Sequence, residues 1–97
     1  MRIYSRGTLR DFWEKHPDSE QQLRTWYKTF NQTEFQNPNE IKVILGSADL
    51  IGNGNIIFNI CGNHYRLIAQ FNYEKHLVFL LFIGTHREYD NLDINNL

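Results

Sequence analysis

Residues 46–84 read GSADLIGNGNIIFNICGNHYRLIAQFNYEKHLVFLLFIG, and the fold turns on whether the apolar runs in this stretch are strands. The runs are ADLI at 48–51, IIFNI at 56–60, YRLIAQF at 65–71 and LVFLLFIG at 77–84. Each is rich in β-branched or aromatic residues, and each is too short for a typical globular helix. The separators GNGN, CGNH and NYEKH carry the Gly and Asn that tolerate the backbone angles of tight turns. The spacing predicts an antiparallel meander of about four strands. GNGN reads as a hairpin turn, since it lacks the Lys-Ser/Thr that completes a phosphate-binding loop.

Side-chain alternation gives each strand its faces. In YRLIAQF, period-two geometry puts Tyr65, Leu67, Ala69 and Phe71 on one face and Arg66, Ile68 and Gln70, with His64 before them, on the other. The first set reads as core, so Arg66 emerges on the less buried face. LVFLLFIG shows no alternation, which predicts a central strand covered on both faces. Extending its alternation past Gly84 sends His86 to the side of Val78, Leu80 and Phe82.

Upstream of Gly46 the period changes to that of helices. RIYS reads as a short strand, and Thr8 then reads as the cap of a helix carrying Leu9, Phe12 and Trp13. Pro17 ends that helix, and Asp18 or Ser19 opens a second one with the stripe Leu23, Trp26, Tyr27 and Phe30. The register assigns these aromatic residues to the core. Asn37, Pro38 and Glu40 have the arrangement of a capping box and open a third short helix through IKVIL. The polar NLDINNL at the end reads as a loosely held tail. The whole predicts an α+β fold: a short N-terminal strand and two to three helices packed on a mainly antiparallel sheet of about four to five strands. At 97 residues it is expected to form one domain, 1–97.

Composition narrows the function. Ten Lys and Arg against eleven Asp and Glu give a formal net charge of -1, which excludes binding to nucleic acid by bulk charge and requires any polyanion site to be local. Cys61 is the single cysteine, so there is no disulfide and no thiolate pair for zinc. The N-terminus lacks the apolar core of a signal peptide, and HLVFLLFIG is shorter than the roughly 20 residues of a membrane span. A soluble, cytoplasmic chain is expected. The histidines at 16, 64, 76 and 86 have no metal-ligand spacing, and no serine or cysteine has the context of a nucleophile.

The polar packet GTHREYD at 84–90 follows directly on the most apolar run of the chain. Its imidazole, phenol and carboxylate suit proton transfer or the holding of a phosphate. The same residues also read as a strand end followed by a capped turn, with Thr85 or Asp90 accepting from backbone donors. Both readings stand at this point.

Three segments decide for the functional one. MRIYSRGTLRDFWEKHPDSEQQLRTWYK at 1–28, NGNIIFNICGNHYRLIAQFNYE at 53–74 and FIGTHREYDNLD at 82–93 resemble the HigB group of toxins from bacterial type II toxin–antitoxin systems. More distantly they resemble the RelE superfamily of messenger-RNA endonucleases. The resemblance implies a RelE-like domain whose sheet and terminal segment form a concave RNA-binding surface. It implies cleavage of messenger RNA, commonly on the ribosome, by attack of the substrate's own 2′-hydroxyl on the adjacent phosphate, with no metal, no cofactor and no nucleophile from the protein. By the same resemblance Arg66 would stabilise the phosphate and His86 would act as general acid or base. Tyr89 would orient the ribose, stack on a base or donate a proton, and Asp90 would hold His86 or cap the terminal turn. Lys42 and Asn63, and after them Asn59 and His64, are candidate RNA contacts. The implied partners are a helix-turn-helix antitoxin of HigA type, messenger RNA and the ribosome, with operator DNA reached only through the antitoxin and no membrane. The chain departs from the pattern at Asn55, His64, Leu81 and Asn91, where relatives often carry a basic residue. That departure keeps open a catalytically weak or inactive relative that acts as an antitoxin-binding module.

Overall fold

A computed structural model describes residues 1–97. The apolar runs of the second half do form strands: β2 (Asp49–Gly52), β3 (Asn55–Ile60), β4 (Tyr65–Asn72) and β5 (Leu77–Thr85), preceded by β1 (Arg2–Tyr4) near the N-terminus. They make one five-stranded sheet in the order β1-β5-β4-β3-β2. Strands β2 to β5 form the expected antiparallel meander, and β1 adds to its far edge parallel to β5. The turn into β3 depends on Gly54, whose φ is +78°; a Cβ there would stand 2.9 Å from the Phe71 carbonyl oxygen. The turn therefore needs glycine both for its backbone and for the approach of β4.

Four α-helices accompany the sheet: α1 (Arg6–Lys15), α2 (Glu20–Gln32), α3 (Pro38–Ile44) and α4 (His86–Asp90). Helix α1 begins two residues before the Thr8 cap read from the sequence. Ser5 takes a left-handed backbone (φ 73°) and its carbonyl accepts from the Thr8 N–H at 2.9 Å. A 3-10 turn over Pro17–Ser19 joins α1 to α2, and Ser19 uses its hydroxyl to bond the His16 carbonyl at 2.7 Å rather than to cap α2. Asn37 caps α3 as expected, accepting from the Glu40 N–H at 3.1 Å. The Glu40 carboxylate reaches Gln36 N–H at 2.7 Å, one residue short of a reciprocal box.

Helices α1 and α2 cover one face of the sheet. Leu9, Leu23, Trp26 and Phe30 pack there against Phe58 of β3 and Leu67, Ala69 and Phe71 of β4 in a core cluster of 17 buried residues. Phe30 sits at its centre, with ring centroids 4.9 Å from Trp26, 5.4 Å from Phe58 and 5.3 Å from Phe71. Truncating such a fully buried ring costs about 3–5 kcal/mol. Trp13 and Tyr27, assigned to the core by their register, are only half-buried. Guanidinium groups lie over both rings, Arg24 over Trp13 at 4.6 Å and Arg6 over Tyr27 at 4.9 Å.

Strand β5 corrects two expectations. It is internal to the sheet, as predicted, but it is not covered on both faces: only Val78 and Gly84 in it are buried, and Phe79 is 38% exposed. The face opposite the helices is partly open: Phe79 is exposed on it, while Ile57 and Ile68 in its middle are buried. Second, the register shifts between Ile68 and Ala69, which pair with Phe82 and Leu80, so that Leu81 is an extra residue in β5. This bulge reverses the alternation: Val78, Leu80 and Ile83 turn to the helices, while Phe79 and Phe82 lie opposite Gln70 and Ile68 on the open face. Phe82 thus parts from Val78 and Leu80. The uninterrupted apolar composition of the run concealed the change of phase.

Candidate functional site

The open face is where β4 and the end of β5 present their polar side chains. Arg66 lies opposite Asn59 of β3 and Gly84 of β5, so its position is fixed by ladders on both sides. The turn that leads into it is held from the other face. Cys61 takes φ 54°, its N–H donates to Gln22 Oε1 at 2.7 Å and its thiol to the Asp18 carbonyl at 3.3 Å. The Tyr65 hydroxyl donates to Asp18 Oδ1 at 2.7 Å. That hydrogen bond, with burial and the charge of Asp18 behind it, pushes the Tyr65 phenol up to about 12. Burial first and Asp18 second push the Cys61 thiol up as well, which makes it a poor nucleophile near neutral pH.

Beyond Gly84 the chain turns into α4 through a capping box. Thr85 Oγ1 accepts from the Glu88 N–H at 3.2 Å, and Glu88 Oε1 accepts from the Thr85 N–H at 2.9 Å. These bonds hold the Glu88 carboxyl below its ordinary range, so Glu88 is committed to structure rather than to proton transfer. Gly84 permits the tight fit, since a Cβ on it would lie 2.6 Å from Phe82 Cζ and 3.1 Å from Glu88 Oε1. The His86 N–H then donates to the His64 carbonyl at 3.0 Å, tying the start of α4 to the turn before Arg66.

These constraints bring Arg66, His86, Tyr89 and Asp90 together. His86 Nδ1 lies 2.9 Å from Asp90 Oδ2. The Tyr89 ring stands edge-on to His86 with centroids 6.4 Å apart, and the Arg66 guanidinium lies over the Tyr89 ring at 5.5 Å. Arg66 makes one long hydrogen bond, 3.5 Å from Nη2 to Asn63 Oδ1, and its Nη1 is buried with no acceptor in the protein. The exposed donors of the guanidinium, met only by this long bond, are the ones open to an anion. In a neutral His86 with Nδ1 donating to Asp90, Nε2 is the acceptor. The group therefore combines an imidazole held by a carboxylate, a guanidinium and a phenol.

The other candidate residues divide. Asn63 and His64 belong to the turn beside Arg66, and Asn59 is its neighbour across β3. Lys42 lies elsewhere: it is on α3, and its ammonium donates to the Ala48 carbonyl at 2.5 Å. Position 55 is buried at the start of β3. The remaining histidines are apart from the group, His16 stacked on Phe12 and His76 paired with Glu34. Sequence reading passed over the Thr85–Glu88 box, although Thr-x-x-Glu was its signal. Asp18 and Gln22 gave no signal, because they act on residues 47 and 39 positions away.

A sequence model of the HigB toxin family, described as the RelE-like toxic component of a toxin-antitoxin system, matches residues 19–92. The chain is 28% identical over 94 residues to the mRNA interferase HigB of Escherichia coli O6:H1 strain CFT073, covering 95% of this chain and 91% of that protein. It is 27% identical over 92 residues to the mRNA interferase toxin HigB of Escherichia coli K12, covering 93% and 88%.

Proposed function

The chain belongs to the HigB toxin family of RelE-like toxic components of toxin-antitoxin systems, and from that premise we propose that it is an endoribonuclease that cuts messenger RNA. The observation that carries this reading is the Arg66 guanidinium, met by one long hydrogen bond, lying over the Tyr89 ring that stands against the His86–Asp90 pair. The names of the relatives, mRNA interferases, support the substrate class.

The chemistry that suits the geometry is transesterification within the RNA. His86 Nε2 takes the proton of the 2′-hydroxyl, and Asp90 stabilises the imidazolium that forms. The 2′-oxygen bonds to the adjacent phosphorus and the bond to the 5′-oxygen breaks. Arg66 meets the negative charge that gathers on the phosphoryl oxygens, and the Tyr89 hydroxyl supplies a proton to the departing 5′-oxygen. The products are a 2′,3′-cyclic phosphate and a 5′-hydroxyl end. Nothing in the scheme calls for a nucleophile from the protein, and the raised Cys61 thiol is not used.

The reading extends to the surroundings. Residues 1–97 form one toxin domain, acting in the cytoplasm on messages held by the ribosome, with Asn63, His64 and Asn59 as further RNA contacts. A helix-turn-helix antitoxin of HigA type neutralises it and links it to operator DNA. No helix is long and apolar enough to cross a membrane. Expression without the antitoxin, followed by mapping of message ends, tests the function: new internal ends that vanish with Arg66→Ala support it. Intact messages and normal growth would instead assign the chain to antitoxin binding alone.

A further inference from the structure

The proposed cutting surface is short of cations. Arg66 is the one Lys or Arg in the group described and Arg87 the one other on α4, Lys42 of α3 is bonded to the Ala48 carbonyl, and positions 55, 64, 81 and 91 carry Asn, His, Leu and Asn. Most of the positive charge lies elsewhere: Arg2, Arg6, Arg10, Lys15, Arg24 and Lys28 are six of the chain's ten Lys and Arg. Three of them meet on the helical layer, across the sheet from Arg66. A groove of about 340 Å³ between α1 and α2 is lined by Arg6, Gly7, Arg10, Trp13 and Arg24.

The groove is organised by aromatic rings. Arg24 lies over Trp13 at 4.6 Å and Arg6 over Tyr27 at 4.9 Å, so each helix sends a guanidinium onto a ring of the other. Stacking occupies the face of a guanidinium and leaves donors on its edge for a planar or tetrahedral oxyanion. Arg24 also pairs with Glu20 at 2.8 Å, whereas neither Arg6 nor Arg10 has a carboxylate partner. One helical turn, about 6 Å of rise, separates Arg6 from Arg10.

We propose that this groove binds the phosphodiester backbone of a second RNA segment, distinct from the one that is cut. The inference rests on the endoribonuclease reading and adds the holding site which that reading lacks. The composition of the groove favours RNA over a protein partner. A protein interface is anchored by apolar and aromatic side chains in its centre, and here the two rings are already covered by the chain's own guanidiniums. What remains for a partner is positive charge with donors. The segment comes from structured ribosomal RNA or from a distant part of the message, and the two sources are separable.

The test uses the full chain with Arg10→Gln and with Arg6→Gln combined with Arg10→Gln. Binding is measured to 70S ribosomes, and to a 12-nucleotide unstructured RNA carrying 2′-O-methyl groups throughout, across a range of salt. Each lost phosphate contact lowers the slope of log affinity against log salt by roughly 0.7–0.9, so the double variant loses about 1.5 on ribosomes while its binding to the short RNA is unchanged. In message cleavage KM rises about tenfold and kcat is kept. A protein-free 16S RNA fragment that reproduces the slope change assigns the groove to ribosomal RNA; its appearance only with message longer than the short oligomer assigns it to the message. Equal slopes for the variants and the wild type overturn the proposal. So does a loss confined to antitoxin affinity, which would make the partner an acidic protein segment. Arg10 is neither stacked nor paired, and a thermal melt confirms that its replacement leaves the fold intact. Failure of the endoribonuclease reading shows separately, as intact message with the wild-type chain, because the slopes are read from binding.

Discussion

Replacement of Gly84 by alanine tests how the strand end sets the site. The new Cβ would lie 2.6 Å from Phe82 Cζ, 3.1 Å from Glu88 Oε1 and 3.3 Å from Glu88 Cβ. Reaching ordinary contact requires the Phe82 ring to retreat by about 0.8 Å, or α4 to lift by a similar amount. Glu88 belongs to the capping box with Thr85, and its movement carries His86 and Asp90 along. Overpacking of this kind costs about 1–3 kcal/mol, which lowers the melting temperature of a domain this size by about 4 °C or more. Activity falls further than stability, because misplacing a reacting group by about 1 Å can cost a hundredfold. Circular-dichroism melts give the first quantity and single-turnover cleavage of a defined message the second. Adding Phe82→Leu removes the ring from the collision and recovers part of the stability, while the contact with Glu88 keeps activity low. A Gly84→Ala chain that melts with the wild type and cuts at the wild-type rate would refute the claim that Gly84 seats α4.

Other perturbations probe other links. Asp90→Asn keeps a hydrogen-bond partner for His86 but removes the charge that stabilises the imidazolium; kcat is expected to drop about 10- to 100-fold, with affinity for a non-cleavable RNA unchanged. Cys61→Ala keeps full cleavage, and the wild-type thiol reacts more slowly with iodoacetamide at neutral pH than a free cysteine does, since burial and Asp18 raise it. Tyr65 ionises near 12 against an ordinary 10, so its contribution to stability is full below pH 10 and is lost as pH rises towards 12; an absorbance titration at alkaline pH, repeated on Asp18→Asn, should show the midpoint fall. Glu88 has the opposite sign: held below 4.5, it stabilises α4 above that pH, and the helix loosens as pH falls through its folded value, readable by hydrogen exchange at His86.

The sequence carried the architecture well where a signal was local. Turn residues between apolar runs marked the meander, alternation in YRLIAQF put Arg66 on the open face, and Asn37 announced α3. Three features escaped because their causes are not local. The Leu81 bulge hides in a run where every side chain is apolar, so a change of phase leaves no trace in composition. Ser5 takes a left-handed backbone that its side chain does not demand, which starts α1 early. Lys42 looked available for RNA until the fold brought the Ala48 carbonyl to it. For GTHREYD the two readings proved compatible in geometry: Thr85 and Glu88 cap the turn, and the cap aims His86, Tyr89 and Asp90 at Arg66.

The central claim, that Arg66 and His86 act on RNA through its own 2′-hydroxyl, is tested most directly by the chemistry of the cut ends. Messages recovered from a translating extract should carry 2′,3′-cyclic phosphate and 5′-hydroxyl ends with the wild-type chain, and none of these with Arg66→Ala or His86→Ala that retain the wild-type melt. Ends bearing 5′-phosphate, or undiminished cutting by either variant, would contradict it.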